Sequence, residues 1–313
     1  MIGTLPSQEI RKLVRHNRIE TLGNMIGEDQ IQPASLDLRL GQTIYAVPAA
    51  SLPLSDCGME NALDTKRGVL LRKGHVYVAE CQEYVSSLPY GLSGRANAKS
   101  TSGRLGLACR LLAAGCSRYD YIPKEYSGPL VLEICPQVFD ITVYYGDSLA
   151  QVRFCAGPWH SKRTIVGVDL VGNGGVVGYA SRHRQVDFRE SHYAPDWWNS
   201  FSSSETVILY PGKLYIFASK ETVAVDPLEA AEMIPFDASL GEFRAHYAGF
   251  FDPGFCAKAV FEVMPRDMPI MLRDGQQLAT LRYEHMSEVP DKLYGGANNH
   301  YQGQALKLAK QFI

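Results

Sequence analysis

Leu130-Val131-Leu132-Glu133-Ile134 and Ala259-Val260-Phe261-Glu262-Val263 are one strand written twice, each with a glutamate inside an apolar run. From Pro123 to Phe154 and from Asp252 to Tyr283 the chain aligns with itself without a gap at an offset of 129 (252 minus 123). Tyr126 falls on Phe255, Gly146 on Gly275, Leu149-Ala150 on Leu278-Ala279 and Arg153 on Arg282. Upstream, Gly74-x-x-Tyr77 matches Gly212-x-x-Tyr215, and Glu83, Val85 and Pro89 match Glu221, Val223 and Pro227, at an offset of 138 (212 minus 74). Self-similarity at one spacing marks a duplicated folding unit. The second copy lacks nine residues (138 minus 129), and the loss is expected where the first copy carries Lys99-Ser100-Thr101-Ser102-Gly103-Arg104.

Around these blocks the pattern is that of short strands. Ser35-Leu36-Asp37-Leu38-Arg39-Leu40 alternates polar and apolar, Val76-Tyr77-Val78 is β-forming, and Gly or Pro recurs at turn spacing. Pro6 to Val14 instead places Ile10, Leu13 and Val14 at i, i+3 and i+4, a short amphipathic helix. The expectation is an all-β protein of two barrel or sandwich domains, 1–157 and 158–313, with a short N-terminal helix. Val168-Asp169-Leu170 reads as an echo of Leu36-Asp37-Leu38, which sets the boundary near Trp159. Residues 171–205 read as an insertion or surface loop, with Ser181-Arg182-His183-Arg184 as an exposed basic turn or a phosphate contact.

Composition narrows the function. With 313 residues, 46% hydrophobic and a formal charge of −2, the chain supports full-sized cores, and nothing points to nucleic acid or a membrane surface. An anion must be held by a local cluster. No apolar stretch approaches the roughly 20 residues of a membrane span, and the start lacks a secretory layout, so the cytoplasm is expected. Seven cysteines without a C-x-x-C pair suit reduced, mostly buried thiols and not zinc.

Two segments carry chemistry. Arg95 to Arg104 gathers three hydroxyls and three cations around a glycine, which suits a triphosphate, although a polar turn has the same composition. His246 to Phe255 reads as a hairpin with Asp252-Pro253-Gly254 at its turn. Its backbone suits a base edge, and Phe250 or Phe251 suits a sugar or a plain core. A carboxylate in an apolar strand is costly unless paired or poised in a site, where burial raises its pKa toward that of a general base. Glu262, ten residues beyond Asp252, is the expected base and Glu133 its structural or vestigial twin.

Four ordered motifs resemble the dCTP deaminase branch of the dUTPase-like superfamily, in its long duplicated bacterial form. They are Ile31-Gln32-Pro33-Ala34-Ser35-Leu36-Asp37-Leu38-Arg39-Leu40-Gly41, then Lys99 to Leu107, Ala248 to Phe255, and Tyr301-Gln302-Gly303-Gln304. The resemblance implies tandem dUTPase-like β-barrel, or β-clip, domains and zinc-free deamination of dCTP to dUTP and ammonia. It gives Glu262, Ser100 and Arg104 catalytic roles, and makes Lys99, Ser100, Thr101, Arg104, Ala248, Gly249, Phe250, Asp252, Tyr294, His300 and Gln304 nucleotide contacts. It also implies Mg²⁺ carried by the triphosphate, dTTP as inhibitor, and a homo-oligomer, since single-domain relatives form trimers that share each site between neighbours. Lys99 and His300 depart from the family's usual Arg and Lys. The rival readings are a bifunctional deaminase and dUTP diphosphatase, a dUTPase, and a non-catalytic nucleotide-binding regulator.

Overall fold

The computed structural model describes residues 2–50, 62–157, 162–172, 175–234, 243–244, 249–296 and 301–313. The helix forms at Ser7–Arg15 and buries Ile10 and Leu13. Nearly all the rest is strand. The first half is one large sheet in the order Leu107–Ala113, Gly128–Pro136, Val76–Val85, Leu36–Val47, Ser148–Ala156, Leu92–Ala98 and Tyr121–Ile122. The second half splits the corresponding strands between two sheets. One contains Tyr215–Ala224 and Cys256–Pro265, and the other contains Gln277–His285, Glu229–Ile234 and Phe250–Phe251.

The duplication holds at the level of hydrogen-bond register. Glu133 lies opposite Val78, and Glu262 lies opposite Ile216. Since 133 and 262 differ by 129 while 78 and 216 differ by 138, the two offsets meet in one pair of strands. Glu83 accepts from the Arg39 backbone N–H at 2.7 Å, and its image Glu221 accepts from that of Gly167 at 2.9 Å.

The same registers correct three expectations. First, the Leu40 amide donates to Asp147 and the Leu40 carbonyl accepts from Gly146, while Val168 donates to Gln276 and accepts from Gly275. Val168 therefore occupies the place of Leu40, and the expected echo of Leu36-Asp37-Leu38 is four residues out of step. Second, the nine missing residues are not taken from the Lys99–Arg104 segment. Arg95 and Glu232 face the equivalent Arg153 and Arg282, an offset of 137 (232 minus 95), and Leu107 and Phe243 face Pro136 and Pro265, an offset of 136 (243 minus 107). Only one residue is lost between them. Seven are lost afterwards, because Tyr121 and Phe250 stand at an offset of 129 (250 minus 121). The second copy lost its cations by substitution: Pro235 to Glu242 contains neither Lys nor Arg.

Third, residues 171–205 are not a surface loop. Val176–Ser181 pairs with Trp198–Ser202 and Tyr215–Ala224, and Gln185–Asp187 pairs in parallel with Asp140–Val143 of the first half. Trp198 packs edge-on against Phe139 and Phe312, which ties this segment to both the first half and the C-terminal tail. Arg182, His183 and Arg184 do lie exposed.

The halves share buried surface. Most of the larger core comes from the first half, with Val186, Phe188, Trp198, Leu214, Ile216, Val260, Leu308 and Ala309 added from the second, while a smaller core belongs to the second half alone. Arg153, 2% exposed, pairs with Glu232 and Glu284 at 2.9 and 3.0 Å, so the charges that cross the boundary are matched where desolvation is severe. No helix among the described residues is long and apolar enough to cross a membrane.

Candidate active site

The cationic turn of the first copy and the glutamate strand of the second meet at one cleft of about 260 Å³ between the halves. From the first half it receives Gln32, Lys99, Ser100, Thr101, Arg104 and Gln151. From the second it receives Gly249, Phe250, Phe251, Asp252 and Glu262, and from the tail Tyr294, Tyr301, Gln304 and Lys310. Complementary motifs from the two copies thus meet within one chain. Of the sites expected from sequence, Ala248 and His300 lie outside the described residues.

The phosphate-type segment folds as a single helical turn, Ser100–Arg104, following the strand Leu92–Ala98. Lys99 at its cap forms an ion pair with Asp37, whose other carboxylate oxygen is buried without a hydrogen-bond donor. Ser100 is partly exposed at the cleft. Ser102 turns inward, its hydroxyl donating to the Leu149 carbonyl at 2.9 Å, and Arg95 does not line the cleft.

Arg104 is 3% exposed and holds the tail. It donates to the carbonyls of Lys307 and Leu308 at 2.8 and 3.4 Å and to Gln304 Oε1 at 3.0 Å, and it stacks on the Tyr301 ring at 3.9 Å. Burial lowers its pKa, opposed by the fields of Tyr301, Glu262 and Tyr294. Its Nε remains without an acceptor. Thr101 Oγ1 and the Tyr301 hydroxyl share a hydrogen bond of 3.1 Å, and Gln304 Nε2 donates to the Lys258 carbonyl at 3.1 Å.

On the opposite wall, Asp252-Pro253-Gly254-Phe255 closes a turn with the Phe255 amide donating to the Asp252 carbonyl at 3.1 Å, and Gly254 at φ 87° takes the position that disfavours a Cβ. The expected hairpin is instead a corner. Phe250–Phe251 pairs with Glu229–Ile234, whereas Cys256–Pro265 runs in the other sheet. Asp252 accepts the Ala34 amide at 3.0 Å; burial, with Asp37 nearby, pushes its pKa up to about 7, against Lys99 and Arg153. Tyr294 is pushed up to about 12 by burial and by Asp252. Glu262 is 1% exposed, in a strand that Phe261 and Val263 anchor in the core.

Glu133, the twin, is not among the residues that line this cleft. The Tyr119 hydroxyl donates to it at 3.0 Å, and Arg110 lies over the Tyr119 ring at 4.7 Å. Arg110 and Tyr119 belong to the stretch between Leu107 and Tyr121, in which the first copy is seven residues longer. The longer segment thus supplies the hydroxyl that holds Glu133, whereas Glu262 lines the cleft. Sequence reasoning did not single out Gln151, Tyr301 or Lys310 as site residues. Gln32 and Tyr301 sit inside recognised motifs, while nothing in the pattern around Gln151 or Lys310 marks it.

An all-β, duplicated dUTPase-like fold with a cationic turn facing a buried carboxylate defines a class of nucleotide-handling hydrolases. Residues 1–158 match the family model described as the 2'-deoxycytidine 5'-triphosphate deaminase (DCD) N-terminal domain, and residues 152–312 match that of its C-terminal domain. The fold is similar to the crystal structure of 2'-deoxycytidine 5'-triphosphate deaminase from Agrobacterium tumefaciens, with 35% identity and a TM-score of 0.85 over 91% of this chain and 99% of that one. Two proteins named "dCTP deaminase, dUMP-forming" are also similar. That of Methanosphaera stadtmanae is 26% identical over 163 residues, 49% of this chain and 79% of its own length. That of Beutenbergia cavernae is 32% identical over 106 residues, 32% of this chain and 55% of its own. The chain belongs to the dCTP deaminase family.

Proposed function

We propose that the chain hydrolyses dCTP to dUTP and ammonia with Glu262 as general base. The observation that carries this reading is the position of Glu262 in the same cleft as Ser100 and Arg104. Glu262 takes a proton from water, the resulting hydroxide adds to C4 of cytosine, and the proton passes to the departing amine. Ser100 orients the water, and with Arg104 it stabilises the developing charge. Phe250 packs on the sugar, while Asp252, half protonated near neutrality, exchanges a hydrogen bond with a sugar hydroxyl. Lys99 leaves Asp37 for phosphate, and Tyr294, Gln304 and His300 close over the nucleotide.

Mg²⁺ enters this reading as part of the substrate, held by phosphate oxygens and water. Among the described residues no group of three or more His, Cys, Asp or Glu is arranged to hold a metal. The reading also carries a cytoplasmic homo-oligomer inhibited by dTTP, with domains divided at 157/158. A second reading, deamination followed by release of pyrophosphate to leave dUMP, is favoured by the names of the curated relatives. Incubation with dCTP and Mg²⁺, with ammonia measured and nucleotides separated, tests both. Ammonia with dUTP supports the first and ammonia with dUMP the second. Binding without ammonia overturns both and leaves a nucleotide-binding regulator.

A further inference from the structure

A second cleft, of about 510 Å³, adjoins the first. The two share Lys99, Thr101 and Lys310, and only the first is lined by Phe250, Asp252 and Glu262. They therefore meet at the phosphate end. A nucleotide with its base at Glu262 runs its phosphate chain toward this junction, and the outermost phosphate arrives last.

The charges around the junction are mostly committed. Lys99 pairs with Asp37, and Arg189 pairs with Asp147 at 2.8 Å while also donating to the Tyr145 carbonyl at 2.7 Å. Arg104 turns its two terminal nitrogens to the tail, and only its buried Nε is left without an acceptor. Glu190, exposed, adds one negative charge to the lining of the second cleft. Lys310 differs from all of these. It is exposed and forms no ion pair among the described residues, and its ammonium lies 6.0 Å from the Phe188 ring.

Its backbone is nevertheless fixed. Ala309 and Gln311 on either side are buried, and Gln311 Nε2 donates to the Phe188 carbonyl at 2.9 Å. An exposed cation with no counter-ion among the described residues, on an anchored stem, thus lines both clefts where they meet. An ammonium is a point charge and needs no bidentate geometry, which suits the terminal phosphate, the most charged and most exposed of the three.

We propose that Lys310 is the specificity residue that reads the terminal phosphate and so separates a nucleoside triphosphate from a diphosphate. The proposal rests on the nucleotide reading of the cleft and adds a residue that no motif marks. It is tested on the full chain carrying Glu262→Gln, which keeps the ligand intact, by calorimetric titration with Mg²⁺-dCTP and Mg²⁺-dCDP. Lys310→Ala weakens dCTP binding about tenfold, equivalent to about 1.4 kcal/mol, and dCDP binding by less than about twofold. Lys310→Arg restores most of the preference, and Lys310→Glu removes it. Equal weakening for both nucleotides would show that Lys310 only places the tail, and an unchanged ratio would remove it from recognition; either outcome overturns the proposal. Ammonia release is read separately on the chain with Glu262 intact, so failure of the deamination reading is distinguishable from failure of this one.

Discussion

Replacing Asp252 by asparagine should flatten the pH dependence of stability. In the fold this carboxyl titrates near 7, against 3.8 for the free side chain, because burial outweighs the Ala34 amide and the fields of Lys99 and Arg153. Between those values the unfolded chain has released the proton and the folded chain still holds it, so stability falls as pH rises. The contribution is fully present below 3.8 and is lost by the time pH passes about 7. At about 1.36 kcal/mol per pH unit, the gap amounts to about 4 kcal/mol, of which about 3 kcal/mol falls between pH 5 and pH 8. The amide oxygen in Asp252→Asn keeps an acceptor for Ala34, and the buried NH₂ of the variant costs the same at every pH. Denaturant unfolding of both proteins at pH 5 and pH 8 isolates the effect, since every other group titrates in both. The variant should gain about 3 kcal/mol relative to the parent over that interval. Parallel curves would refute the claim that Asp252 is buried with a raised pKa.

Glu133→Gln should retain ammonia release, measured with dCTP, because the twin accepts from Tyr119 and does not line the cleft that holds Glu262; loss of activity with the fold intact would give Glu133 a catalytic part. Arg104→Met removes charge-assisted bonds that each contribute about 1.5–3 kcal/mol, so amide exchange in residues 301–313 should accelerate by at least about tenfold. An unchanged tail would show that its other contacts suffice. Mixing Arg104→Met with Glu262→Gln chains should restore no activity, because both residues line one cleft of a single chain; recovery would place the site between chains.

Much of the fold was legible because duplication writes the same physical constraint twice. Glu133 and Glu262 stand in strands whose apolar neighbours fix their facing, and the register pairs Glu133–Val78 and Glu262–Ile216 follow from the two offsets read in sequence. What failed was the placing of gaps. Identity blocks locate a deletion only between their ends, and the backbone ladder was needed to move seven of the nine residues from the cationic turn to the segment carrying Arg110 and Tyr119. Residues 171–205 read as a loop because strands such as Gln185–Asp187 are too short to show alternation, and they gain their order by pairing with Asp140–Val143 far back in the chain. Within the site, Ser100, Arg104 and Asp252 were visible through motif chemistry. Lys310 was not, since no motif marks it and its place in the lining depends on where the tail lies.

The central claim is that Glu262 supplies the base. Ammonia release from dCTP should fall by at least about a hundredfold in Glu262→Gln, as expected for loss of a positioned general base, while calorimetry still detects dCTP binding. Undiminished ammonia release from that variant would contradict the account.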